Sequence, residues 1–142
     1  GPGQPAGRTA YGVINRLIHL ALADRTLTIY GEGNQLRDYV HVDDTVAALL
    51  AMAASDRADG RAYNVGSGEG TRLVDLAEAV VQIAGGGRVE HVAWPVLPEQ
   101  VETGDFVADI SRIERELGWR PTIALREGLE RTVAFYRAQA VS

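Results

Sequence analysis

The residues best equipped for chemistry lie in one stretch, Leu27 to Asp44, which reads LTIYGEGNQLRDYVHVDD. Gly31 and Gly33 open a polar loop in which a ligand can come close to the main chain. Arg37 follows, ahead of Asp38-Tyr39-Val40-His41-Val42, where apolar and polar positions separate with the period of a strand. A planar, permanently charged guanidinium beside a glycine loop suits an oxyanion such as a diphosphate. The competing reading is a hairpin whose arginine pairs with Glu32, Asp38 or Asp43.

Other chemistries find few candidates. The chain has no cysteine, which excludes disulfides, thiol nucleophiles and thiolate metal sites. His19, His41 and His91 share no ligand-like spacing. His41 two residues before Asp43 is the one conceivable ligand pair, and the plainer reading is a half-buried polar strand residue. No lysine occurs, because all 14 basic residues are arginines. Gly66-Ser67-Gly68-Glu69-Gly70 has the wrong spacing for a dinucleotide fingerprint and lacks the preceding βαβ context. Trp94 and Trp119 read as packing residues.

These residues need elements to hold them. From Tyr11 to Ala23 the apolar positions Ile14, Leu17, Ile18 and Ala21 repeat as on one helix face. Leu27 to Tyr30 reads as a short strand, and Asp43 or Asp44 as the N-cap of a helix with the stripe Val46, Leu49, Leu50 and Ala53. Arg61 to Val65 reads as a strand. Thr71 is placed to cap a helix whose Leu73, Leu76, Ala77, Val80, Val81 and Ala84 face inward, stopped by Gly85. Val89 to Ala93 reads as a strand, and Trp94 to Gly104 as a long loop. Ser111 and Glu114 fit a capping box for a short helix ended by Gly118. A last helix turns Leu125, Leu129, Val133 and Tyr136 inward. Helices alternating with short strands predict an α/β fold.

At 142 residues, 46% hydrophobic and 23% charged, the chain has the composition of a globular domain or part of one. Its net charge of -5 offers no footprint for nucleic acid or for an anionic membrane surface. No apolar run approaches the ~20 residues that span a bilayer. No leader opens the chain, so the expectation is a cytoplasmic protein.

The stretch from Leu27 to Asp44 resembles the segment after the core Rossmann half in extended short-chain dehydrogenase/reductases that act on nucleotide sugars. The pattern is close to L-x-I-Y-G-x-G-x-Q-x-R-D-[YF]-[VI]-x-V-D-D. Gly1-Pro2-Gly3-Gln4, Tyr63-Asn64-Val65-Gly66-Ser67-Gly68, Ala108-Asp109-Ile110-Ser111-Arg112, Leu117-Gly118-Trp119-Arg120-Pro121 and Glu127-Gly128-Leu129 are similar to further motifs of that family, in order. The resemblance implies the C-terminal, substrate-side portion of a Rossmann-like fold, lacking the N-terminal dinucleotide-binding half. Residues 44–70 are then expected to pack on the sheet of that half.

By the same resemblance Arg37 contacts the diphosphate of a nucleoside-diphosphate sugar. Thr28 and Tyr30 meet the base through main-chain atoms, and Val13 and Ile14 line the pocket, where core packing is the competing role for both. Glu102 falls where relatives place an acid that bonds the ribose. Glu99 stands where many relatives carry a basic residue, and an acid there repels a diphosphate by roughly 1 kcal/mol. A shifted loop with Arg88 or Arg112 as the substitute cation is the alternative. The family's hydride chemistry uses NAD or NADP and a Tyr-x-x-x-Lys pair, and neither that pair nor the dinucleotide motif is present here. The implied protein is an NAD-dependent nucleotide-sugar epimerase (isomerase) or dehydratase (lyase), with this portion binding no cofactor and inactive on its own. The alternative is a non-catalytic nucleotide-sugar-binding or structural partner module. The missing Rossmann half and a homo-oligomer are the expected partners.

Overall fold

The computed structural model of the chain describes residues 12–94 and 104–140. In order, the elements are α1 (Val13–Leu22), β1 (Thr26–Tyr30), β2 (Leu36–Asp38), α2 (Val42–Ala53), a 3₁₀ turn at Asp56–Ala58, β3 (Gly70–Arg72), α3 (Leu73–Ala84), β4 (Arg88–Val92), α4 (Ser111–Leu117) and α5 (Leu125–Ala140). β1 and β4 pair in parallel with Leu27 opposite Val89, and everything from β2 to α3 forms the crossover that parallel pairing requires. β2 and β3 pair antiparallel, with Arg37 opposite Thr71.

The helical periodicities translate directly into packing. Leu17, Ile18 and Ala21 of α1, Leu76, Ala77, Val80 and Ala84 of α3, and Leu129, Val133 and Tyr136 of α5 bury one face each in a core shared with Leu27 and Ile29 of β1, with α5 laid on α3 and α1. Each large side chain buried there contributes about 1.5–3 kcal/mol, so truncating Leu76 or Ile18 removes a sizeable part of a domain's net stability. A second, smaller core gathers Ala48 of α2, Ile113 of α4 and Trp119, with Met52, Val65 and Ile110 packed against it. The Trp119 indole N–H donates to the Asp44 carbonyl at 3.2 Å, which ties the loop after α4 to the start of α2.

Several local expectations are corrected. The strand expected over 38–42 is displaced to Leu36–Asp38, because β3 offers only three partners and the chain then turns into α2 at Val42. His41 caps that helix, its Nδ1 accepting the Asp43 amide at 3.2 Å, which replaces both the Asp43 or Asp44 cap and the strand reading of His41. Asp44 turns inward instead. Thr71 lies in the β2–β3 ladder rather than capping α3, which starts from an extended Arg72. Ser111 is the first residue of α4 rather than its cap: Ile110 holds the N-cap position, and the Asp109 carboxylate just before it accepts the Ser111 amide at 2.9 Å. Residues 61–65 form no ladder with a described strand. They are held from the side, with Arg112 donating to the Ala62 carbonyl and the Asn64 side-chain amide donating to the Asp109 carbonyl. On α2, Val46, Leu49 and Leu50 are 47%, 57% and 65% exposed, so this apolar stripe has no cover among the described residues.

Candidate functional site

Beside β2 lies an open cleft of about 430 Å³ that Arg37 shares with Val13 and Ile14 of α1, with Gln35, and with Tyr39. Three of the residues singled out from the sequence thus meet at one place. Val13 is 55% exposed, whereas Ile14 both lines the cleft and packs against the main core. Thr28 and Tyr30 lie on the outward face of β1 and are not part of this cleft's lining. Tyr30 stacks on Trp94 with ring centres 5.4 Å apart. Glu99 and Glu102 lie outside the described residues.

The arginine is held by main-chain oxygen. Arg37 Nη1 donates to the Leu36 carbonyl at 2.8 Å and to the Gly104 carbonyl at 2.5 Å. Of the acids considered as hairpin partners, Asp38 and Asp43 serve other groups. Asp43 approaches His41 at 3.5 Å and Arg131 at 3.6 Å. Asp38 accepts the Ser67 amide and hydroxyl, both at 2.6 Å, and the amides of Gly68 and Ala108. Burial works to raise the Asp38 carboxyl, and these donors outweigh it and hold the group below its ordinary value. The space this needs explains Gly66, where a methyl group would sit 2.5 Å from Asp38 Oδ2.

Tyr39 is the residue that sequence reasoning missed. It borders the Arg37 cleft and two adjoining hollows of about 50 and 250 Å³. Its phenol is pushed up by burial while the Arg37 charge pulls it down, so ring and guanidinium share one field. The signal is its position two after Arg37, which puts both side chains on one face of an extended segment.

Arg112, weighed as a substitute cation, bonds Glu116 at 3.3 Å and sits 5.2 Å over the Tyr63 ring. Among the described residues no group of three or more His, Cys, Asp or Glu could hold a metal. The loop at Gly31 and Gly33 packs closely on the chain's own side chains. A Cβ on Gly31 would meet Trp94 Nε1 at 2.8 Å, and one on Gly33 would meet Ile29 Cγ2 at 2.7 Å. The loop then leads into β2. No helix of the described residues is long and apolar enough to cross a membrane.

This mixed α/β arrangement matches part of a Rossmann-like epimerase. A UDP-glucose 4-epimerase from Thermotoga maritima, solved with UDP-glucose, superposes with a TM-score of 0.86 and 33% identity over 99% of this chain and 43% of that one. The family model for the NAD dependent epimerase/dehydratase family matches residues 1–66. A dTDP-glucose 4,6-dehydratase of Streptomyces griseus is 35% identical over 87% of this chain. A UDP-glucose 4-epimerase of Mycolicibacterium smegmatis is 36% identical over 89% of it. The chain belongs to the extended short-chain dehydrogenase/reductase family. It spans 37% and 39% of the length of those two curated relatives.

Proposed function

We propose that this chain is the nucleotide-sugar-binding part of an NAD-dependent nucleotide-sugar epimerase or dehydratase, inactive without a dinucleotide-binding half. The observation that carries this reading is the meeting of Arg37 with the apolar Val13 and Ile14 in one cleft. An apolar wall grips a flat base or sugar face, while a guanidinium neutralises phosphate. NAD or NADP supplies the hydride chemistry when bound to the other half, and this chain's residues bind and orient the nucleotide sugar. Residues 44–70 dock on the sheet of that half, in a cytoplasmic homo-oligomer.

A second reading, a non-catalytic partner that completes another polypeptide, draws on the uncovered stripe of α2. One experiment separates them. Titration with UDP and dTDP reads the binding, and mixing with an N-terminal half of a relative reads the turnover. Saturable UDP or dTDP binding together with restored epimerisation or dehydration supports the first reading. Binding without turnover selects a non-catalytic nucleotide-sugar-binding module, and no binding at all overturns the first reading and leaves the structural partner.

A further inference from the structure

β2 carries two charged residues in succession, and the second fastens three parts of the chain. Asp38 Oδ1 accepts the Ser67 amide and hydroxyl, and Oδ2 accepts the Gly68 amide at 3.0 Å and the Ala108 amide at 3.1 Å. Residues 104–108 run beside β2 and are pinned to it at more than one point. The Leu36 amide donates to Asp105 Oδ1 at 2.8 Å, and the Leu36 carbonyl accepts the Phe106 amide at 3.1 Å. Asp38 holds the far end through Ala108. At the near end stands the Gly104 carbonyl, which receives Arg37 Nη1.

We infer that Asp38 is a positioning residue for anion binding: it holds 104–108 along β2, so the Gly104 carbonyl presents the Arg37 guanidinium to the cleft in one orientation. The inference rests on the reading of Arg37 as the diphosphate-binding residue. An arginine side chain has much rotational freedom to lose, and fixing it before the ligand arrives lowers the entropy cost of binding. A purely structural Asp38 behaves differently, because its loss would cost the same affinity whether or not Arg37 is present.

The test is a double-mutant cycle read by calorimetric titration of UDP into this chain, with Asp38→Asn, Arg37→Ala and the pair. Asp38→Asn is expected to weaken UDP about three- to tenfold alone and to add nothing beside Arg37→Ala. Ser67→Ala, a milder change that leaves the Asp38 charge in place, is expected to weaken it about twofold. Where affinity is too low to titrate, the Arg37 Nε–Hε resonance of the free chain reads the same effect. It is expected to stand apart from the other arginines in the wild type and to collapse toward them in Asp38→Asn and Ser67→Ala. Equal losses in both backgrounds, or an unmoved resonance in the folded variants, overturn the positioning role and leave Arg37 in place. Wild-type binding that Arg37→Ala does not weaken, or no UDP binding at all, overturns the reading of Arg37 and this inference with it.

Discussion

The carboxylate of Asp44 accepts both the amide and the hydroxyl of Thr122, 78 residues further along, at 3.0 and 2.9 Å. Its other oxygen takes the Ile123 amide at 2.9 Å, so a buried acid in the first turn of α2 seats the chain just before α5. Removing a buried, charged acceptor strands three donors. Asp44→Ala is expected to cost about 2–4 kcal/mol of stability, read as a lowered urea midpoint. Trp119→Phe, which loses one neutral hydrogen bond to the same turn, is expected to cost about 1 kcal/mol.

Acid should act through the same groups. Burial works to raise the Asp44 carboxyl, but its bonds to Ile123 and Thr122 prevail and hold it below its ordinary value, as the donors around Asp38 do there. The unfolded chain therefore binds protons more readily at both positions. The stability they contribute is full above about pH 4 and is lost as pH falls through the lower, folded values. Urea midpoints measured from about pH 5 down to pH 2 should fall steeply in the wild type and less so in Asp38→Asn/Asp44→Asn. Parallel curves for the two proteins would show that other carboxylates carry the acid response.

Arg37→Ala should weaken UDP or dTDP about tenfold or more, with Arg37→Lys only partly restoring it, since an ammonium lacks the planar fork. Arg126→Ala on the exposed side of α5 is the control. Arg137 is unsuited to that purpose because its guanidinium donates to the Ile83 and Ala84 carbonyls at the end of α3. Calorimetric titration decides, and equal affinities for wild type and Arg37→Ala would remove the arginine from the site.

Much of this was legible from period and punctuation. The inward faces of α1, α3 and α5 follow from residues three and four apart, and Gly85 and Gly118 end helices in left-handed geometry. What could not be read is what depends on distant partners. Residues 38–42 alternate like a strand, yet β3 is only three residues long and His41 serves as a cap. Asp44 looks like a solvent-facing cap until Thr122 arrives to claim it. The same holds in the site: Arg37 and its glycine loop stood out, whereas Tyr39 and Asp38 take their roles from neighbours far along the chain.

The uncovered stripe on α2 should drive association. Burying Val46, Leu49 or Leu50 recovers about 1.5–3 kcal/mol per side chain, against little cost in a helix already formed. Light scattering across a concentration series is expected to show self-association of this chain, relieved in Leu49→Glu/Leu50→Lys. A sharp monomer at every concentration would mean that the stripe is tolerated in water.

Every rung of the parallel pair joins residues 62 positions apart, from Thr26 with Arg88 to Tyr30 with Val92. Closing so wide a loop pays nothing until the helices between are in place, so this ladder has high contact order and belongs late in folding. Leu27 and Ile29, fully enclosed in the middle of it, have no local route of opening. Their amides should exchange with deuterium only when the whole chain unfolds, at a rate that tracks global stability, while the amides of α2 exchange through smaller fluctuations. The strand pair thus acts as a clasp: last to shut, and shut only over a finished core.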